Sequence, residues 1–348
     1  MSYFRPTIER MEGYVPGYQP KEPGYVKLNT NENPYPPSPR ALEAIARAAG
    51  ESLRLYPDPT GRPFREQAAR VLGTSPDRII CANGSDELLT MALRSFCGEG
   101  DAVAFPTPTY SLYPKLAEIQ GAHVVAVEFP EDFSLPPGLA EAGAPLTLLC
   151  NPNAPSGTLT PKAEVERLAR SVAGVLLVDE AYVAFADEDC LDLVARHENV
   201  VIARTLSKSH SLAGLRFGFA VGPEPLIAGM AKVKESYNVD RLALAGATAA
   251  IADVEWTAEN VRKIRATRGR LIAGLRELGF TCPPSQANFV FARVPQGRQA
   301  GDVFERLFER KVLVRYWNAP RLDDCLRITV GTDGQTATVL DTLREILT

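Results

Sequence analysis

Between residues 79 and 203 the chain alternates short, unbroken apolar runs with stretches whose apolar residues recur every three to four positions. The runs at 79–82, 101–105, 124–127, 146–150, 175–178 and 200–203, rich in Val, Ile, Leu and Ala, predict strands. The stretches at 86–97, 109–120 and 161–172 predict helices between them. Because successive rather than alternate strand residues are apolar, both faces of the sheet read as covered. That predicts an α/β fold with a mostly parallel sheet and helices on each side, continuing to about residue 222. An earlier helix is well punctuated, with Ser38 as N-cap, Pro39 in the first turn and Gly50 as stop. Leu42, Ile45, Ala46 and Ala49 read as its apolar face.

The two ends differ from this middle. In the first 37 residues Pro16, Pro20, Pro23, Pro34, Pro36 and Pro37 prevent regular helix, while Tyr14, Tyr18 and Tyr25 supply aromatic surface. Such an arm has no core of its own and must lie against its own domain, a second subunit or a ligand cleft. Beyond about residue 255 a long helix (255–278) precedes a strand at 288–293, a helix at 301–310, strands at 312–315 and 326–329, and a last helix from Asp333. Three parts are expected: an N-terminal arm (1–37), a large domain (38–254) and a small α+β domain (255–348).

Composition narrows the function classes. At 348 residues, 45% hydrophobic and 23% charged, the chain has the make-up of a globular protein with a large core. A net charge of -4 argues against a general nucleic-acid or anionic-membrane binder. No apolar run reaches membrane-spanning length, and residues 1–20 lack the apolar core of a signal peptide, so a cytoplasmic location is expected. The six cysteines are scattered without paired spacing and read as buried free thiols; the three histidines show no metal-ligand spacing, so no metal site is expected.

Candidate chemistry gathers at strand ends, where open α/β sheets bind ligands. The strand at 146–150 runs into Asn151-Pro152-Asn153-Ala154-Pro155-Ser156-Gly157, and that at 175–178 into Asp179-Glu180-Ala181-Tyr182. The strand at 200–203 leads to Ser207 and Lys208, and that at 79–82 to Asn83-Gly84-Ser85-Asp86, which opens a helix able to hold an anion. Taken alone, Lys208 reads as well as a loop lysine, Asp179 as a capping residue and Asn151 as a turn residue. One ligand accounts for all of them together. Pyridoxal phosphate needs a neutral, desolvated lysine for its aldehyde, a carboxylate at its ring nitrogen, hydrogen-bonding groups on its phenolic oxygen and a cup for its phosphate.

The segments LNTNENPYPPSP, RLYPDP, NGSDE, PTY, NPNAPSG, VDEAYVAF, RTLSKSHSLAGLRFGF, SYNVDRLALA, SQANF and LVRYWNAPRLDDCLRITVGT run from residue 28 to 332. In this order they resemble the fold-type I pyridoxal-phosphate aminotransferases, nearest the histidinol-phosphate aminotransferases. The resemblance implies that Lys208 is the Schiff-base lysine and proton shuttle. It implies that Asp179 pairs with the ring nitrogen, and that Asn151 and Tyr182 bind the phenolic oxygen. It places Ser207, Arg216 and the backbone of Gly84, Ser85 and Asp86 on the phosphate, and Tyr110 against the ring. Tyr56 would reach the phosphate in a partner subunit, so a homodimer with shared active sites is implied.

For substrate, the resemblance points to Arg327 as the main anion-binding arginine, with Tyr18, Asn29 and Arg315 beside it. The implied reaction transfers an amino group from histidinol phosphate to 2-oxoglutarate, giving imidazole-acetol phosphate and glutamate. The same cofactor residues would also serve an aromatic-amino-acid aminotransferase or a threonine-phosphate-type decarboxylase. A non-catalytic sensor built on the same body is a further alternative. His210 and Ser211, after the lysine, depart from the family's usual alanine and aromatic residue and leave the donor open.

Overall fold

The computed structural model describes residues 2–348. Seven strands form the main sheet: β2 (Ile79–Ala82), β3 (Ala102–Thr107), β4 (His123–Glu128), β5 (Leu146–Cys150), β6 (Val175–Asp179), β7 (Val200–Thr205) and β8 (Gly218–Val221). Their spatial order is β2-β8-β7-β6-β5-β3-β4. All neighbours are parallel except β8, which runs antiparallel between β2 and β7. β8 is an element that sequence periodicity passes over, because Gly-Phe-Ala-Val follows the Arg216 turn with no helix to announce a new strand.

Burial alternates along the strands in the sense expected of a covered sheet. Val175 and Leu177 of β6, and Val201 and Ala203 of β7, join one core; Leu176 and Val178, and Val200 and Ile202, join the other. The helices are α1 (Pro6–Arg10), α2 (Pro39–Ala48), α3 (Arg62–Leu72), α4 (Ser85–Phe96), α5 (Leu112–Gln120) and α6 (Lys162–Ser171). They continue with α7 (Leu193–Arg196), α8 (Glu224–Ala231), α9 (Arg241–Ala252), α10 (Val254–Glu277), α11 (Ala300–Glu309) and α12 (Asp333–Leu347). None is long and apolar enough to cross a membrane.

Three expectations need correction. The Ser38 hydroxyl does cap α2 by accepting from Arg40 N, but the buried stripe is Ala41 with half-buried Ile45 and Ala48, leaving Leu42 exposed. The cause is α9, whose Gly246 lies so close that an added Cβ would stand 2.7 Å from Ile45. The arm contains a one-turn helix, α1, because Pro6 is tolerated at a first helical position. The arm's last third is also structured: β1 (Val26–Lys27) pairs in parallel with β10 (Val312–Leu313), and Leu28 is buried.

A second small sheet pairs β9 (Phe289–Arg293) with β11 (Cys325–Thr329) in antiparallel fashion. Main-chain bonds from Thr329 N to Leu28 O and between Arg315 and Arg327 tie β1, β10 and β11 together. Thus residues 26–31 and 312–329 form one wall facing the carboxyl ends of the main sheet. All six cysteines are free and buried.

Candidate active site

β6 ends in two acids that strand periodicity turns to opposite faces. Asp179 shares the face of Val175 and Leu177 and lines a cavity of about 460 Å³. Glu180 goes the other way, where Arg204 donates to it at 2.8 Å and Cys190 N at 2.6 Å. Glu180 is therefore a buried structural acid, and Asp179 is the one presented to a ligand. Its Oδ2 accepts from the Tyr113 hydroxyl at 3.0 Å and its Oδ1 from Ala181 N at 3.2 Å. Burial pushes its pKa up to about 6, with nearby Asp86 adding to the rise and the Tyr113 hydrogen bond opposing it.

Lys208 enters the cavity from a turn after β7. The Thr205 hydroxyl accepts from Ser207 N at 3.1 Å and closes the turn, and the Asn33 amide donates to the carbonyls of Lys208 and Ser209. Lys208 Nζ donates to Thr30 O at 3.1 Å. Burial, then the charges of Arg327 and Arg216, lower its pKa to about 8, against the pull of Glu32 and Asp86. An amine so shifted keeps a far larger neutral fraction near neutral pH than an ordinary lysine, and the neutral form is the one that attacks an aldehyde.

Ser85, Asp86, Ser207 and Arg216 also line the cavity, around the N-terminus of α4. Gly84, at φ +80°, allows the approach of Arg216: an added Cβ would stand 2.5 Å from its Nη2. Gly218 similarly lets β8 pass the Gly84–Ser85 peptide, where a Cβ would meet Ser85 N at 2.7 Å. Arg216 reaches Asp86 at 3.4 Å across a half-exposed pair, a weak contact that a phosphate dianion outcompetes. Tyr110 donates to the other Asp86 oxygen at 3.1 Å. Tyr182, buried, accepts from the Asn31 amide at 3.0 Å, and burial raises its pKa.

The opposite wall holds two guanidinium groups. Arg327 donates to Asn29 O at 3.1 Å, but its Nε is buried without a partner. Arg315 reaches only Val15 O, at 3.4 Å. Neither pairs with an acid among the described residues. Both lie over the face of Trp317, at 5.1 and 5.0 Å from its ring centre. Burial first, and Arg315 in addition, lower the Arg327 pKa, an electrostatic strain that a bound anion relieves.

Of the residues singled out from sequence, the structure gathers Asn29, Ser85, Asp86, Tyr110, Asp179, Tyr182, Ser207, Lys208, Arg216, Arg315 and Arg327 around one cavity. Gly84 stands just behind the lining, against the Arg216 guanidinium, and three others are placed elsewhere. The Asn151 carboxamide is used up by Thr160, donating to its carbonyl at 2.9 Å and accepting from its N–H at 2.8 Å, and Ala154 lines the cavity instead. Tyr18 turns its ring against Phe308 and Tyr25, so the arm meets the cavity through Tyr14, Pro16 and Gly17. Tyr56 is exposed, stacked on Tyr237 with ring centres 4.3 Å apart. His210 faces a different cavity beside α10, and its Nδ1 lies 2.9 Å from the Ser209 hydroxyl. Sequence reasoning missed Thr30, Asn31, Tyr113 and Trp317. The first two belong to the quoted Asn-Thr-Asn segment, and Tyr113 stands one helical turn past Tyr110.

The donor set fits pyridoxal phosphate: an amine of lowered pKa, a buried carboxylate, a phenol held by an amide, and a helix N-terminus with serine and arginine. The family model for aminotransferase class I and II matches residues 23–343. The histidinol-phosphate aminotransferase of Geotalea uraniireducens is 48% identical over 343 residues, covering 98% of this chain and 99% of that protein. Histidinol-phosphate aminotransferase 1 of a Nostoc species is 47% identical over 348 residues, covering 99% and 98%. The crystal structure of the Sinorhizobium meliloti histidinol-phosphate aminotransferase in complex with pyridoxal-5'-phosphate superposes with a TM-score of 0.90 at 27% identity, covering 100% and 98%. The chain thus belongs to the class I and II aminotransferases, as a fold-type I, pyridoxal-phosphate-dependent transaminase of the histidinol-phosphate aminotransferase branch.

Proposed function

We propose that this chain transfers the amino group of histidinol phosphate to 2-oxoglutarate, giving imidazole-acetol phosphate and glutamate. The observation that carries the substrate is the pair of guanidinium groups, Arg315 and Arg327, that face the cavity with no acid of their own. Two arginines without partners suit a phosphate dianion on one substrate and a carboxylate on the other.

Bound pyridoxal phosphate supplies the electron sink for the charge left on the donor's α-carbon. The chain's own groups do the rest. Lys208 Nζ takes the α-proton and carries it, Asp179 keeps the ring nitrogen protonated, and Tyr182, steadied by Asn31, donates to the phenolic oxygen. Ser207, Arg216 and the N–H groups opening α4 hold the cofactor phosphate, and Tyr110 packs on the ring. Arg327, with Asn29 behind it, and Arg315 bind the substrate anion.

A homodimer in the cytoplasm completes the reading. Leu42, Leu53, Leu55, Tyr56 and Tyr237 are all large, apolar and exposed on α2 and the loops near it, as a subunit contact requires. The reduced, buried thiols suit a reducing compartment.

A panel of amino donors with 2-oxoglutarate, followed by glutamate formation, tests the substrate. Histidinol phosphate is expected to be the preferred donor, and Arg315→Ala to raise its KM about 10- to 100-fold, the worth of a charge-assisted hydrogen bond. Efficient turnover of phenylalanine or tyrosine with none of histidinol phosphate would reject the proposal, and carbon dioxide release from a phospho-amino acid would replace it by a decarboxylase.

A further inference from the structure

Tyr113 takes no part in the cavity surface, yet it is the only side chain that donates to Asp179 among the described residues. It lies on α5, fully buried, with its ring edge-on to Phe105 at 5.8 Å and to Tyr110 at 5.6 Å. Phenylalanine would fill that space equally well. A buried hydroxyl is costly unless it is bonded, and the one oxygen that distinguishes tyrosine here donates to Oδ2 of Asp179 at 3.0 Å, with the Cys150 thiol beside it.

We propose that Tyr113 is a positioning residue for Asp179, its hydroxyl fixing the carboxylate from behind the cavity wall and keeping it ionised toward the cofactor's ring nitrogen. The proposal rests on the reading of Asp179 given above and adds the group that makes Asp179 competent. With Tyr113 on Oδ2 and Ala181 N on Oδ1, each oxygen has one donor and retains a lone pair for the ring nitrogen.

The surroundings otherwise work against ionisation. Asp86 from α4 and Glu180 on the same strand end raise the Asp179 pKa in addition to burial. Cys150 of β5 also faces this group, but its thiol donates to Pro152 O at 3.3 Å. Tyr110 and Tyr182 lie near, and donate to or are held by other residues. The Tyr113 phenol itself is pushed well above its usual range by burial and the Asp179 charge, so it remains a donor at every working pH.

The test is a double-mutant cycle of Tyr113→Phe and Asp179→Asn, read by the equilibrium dissociation constant of pyridoxal phosphate from the protein and by the pH profile of turnover. Tyr113→Phe is expected to weaken cofactor binding about tenfold, as loss of a hydrogen bond to a charged group does. It should also move the acid limb of kcat/KM to higher pH by about one unit. In the Asp179→Asn background the same change should cost less than about threefold, because the acceptor it serves has been altered. Equal losses in both backgrounds, or a lower Tm with unchanged binding and pH profile, would assign Tyr113 to packing alone and overturn the proposal. Should Asp179→Asn by itself leave cofactor binding intact, the role of Asp179 fails first, and that of Tyr113 with it. A separate readout uses the cofactor-free protein. The Asp179 carboxyl stretch, identified by its loss in Asp179→Asn, should titrate at higher pH in Tyr113→Phe. It should titrate at lower pH when 3-fluorotyrosine, a stronger donor that preserves the packing, is incorporated at position 113. An unmoved titration in both proteins would refute the proposal.

Discussion

At the cofactor end of the cavity nearly every polar group has an internal partner, whereas at the substrate end the two guanidinium groups have no acid to neutralise them among the described residues. Asp179 is held by Tyr113 and Ala181, Tyr182 by Asn31, and Lys208 by Thr30. Across the cavity, Arg315 and Arg327 touch main-chain carbonyls and the faces of Trp317 and, for Arg327, Phe289. The first arrangement fixes geometry before a ligand arrives, as orientation of a reacting centre demands. The second leaves positive charge uncompensated, so an arriving anion gains its full interaction without displacing a protein acid.

The difference is expected to appear most strongly at Lys208. Lys208→Ala should lower kcat by on the order of 10⁴-fold with every donor, since both the amine that attacks the aldehyde and the proton carrier are lost. The near-visible absorbance of the protein-bound cofactor should change at the same time. A donor-selective loss would break the distinction between the two ends. Arg327→Ala should act differently, lowering kcat/KM by about 100-fold for both the phosphorylated donor and 2-oxoglutarate, mostly through KM, with cofactor absorbance unchanged. Steady-state kinetics with each substrate varied in turn separates these outcomes.

The same contrast governs how much the sequence reveals. The cofactor end is legible because each group follows an apolar run and the sheet collects the runs' carboxyl ends. Asp179 and Glu180 are distinguishable by strand periodicity alone, once β6 is known to be covered on both faces. Asn151 is the exception: it occupies a strand end like the others, but the main chain of Thr160, nine residues on, takes its amide, and only the folded loop shows this. The substrate end is poorly legible because residues 14–31 and 312–329 meet through short strands of two and five residues, too brief to carry a period. Hence Tyr18 is expected at the ligand and instead packs on Phe308, while Trp317, within a quoted segment, gains its place only when two arginines flank it. In α2, hydrophobicity favours Leu42, but the close approach of α9 selects the smaller Ala41.

The smallest effect expected is also the one that joins the two ends. Lys208 has a pKa lowered from 10.5 to about 8, and after burial the largest cause is the charge of Arg327. The sign follows directly: the neutral, reactive amine predominates above about pH 8, and its fraction falls roughly tenfold for each unit below that. Capture of pyridoxal phosphate by the cofactor-free protein, followed by stopped-flow absorbance, should therefore slow about tenfold per unit as pH falls from about 8 to 6. Arg327→Ala removes a positive charge that disfavours the ammonium, so the midpoint should move to higher pH, by up to about one unit. The substrate arginine would then have a second duty, keeping the lysine neutral while no anion is bound. Substrate binding relaxes that influence by neutralising Arg327, so an anion should itself raise the Lys208 pKa and favour proton uptake by its amine. A midpoint that stays in place in Arg327→Ala would make the two ends electrostatically independent and leave burial, with the charge of Arg216, as the cause of the lysine's shift.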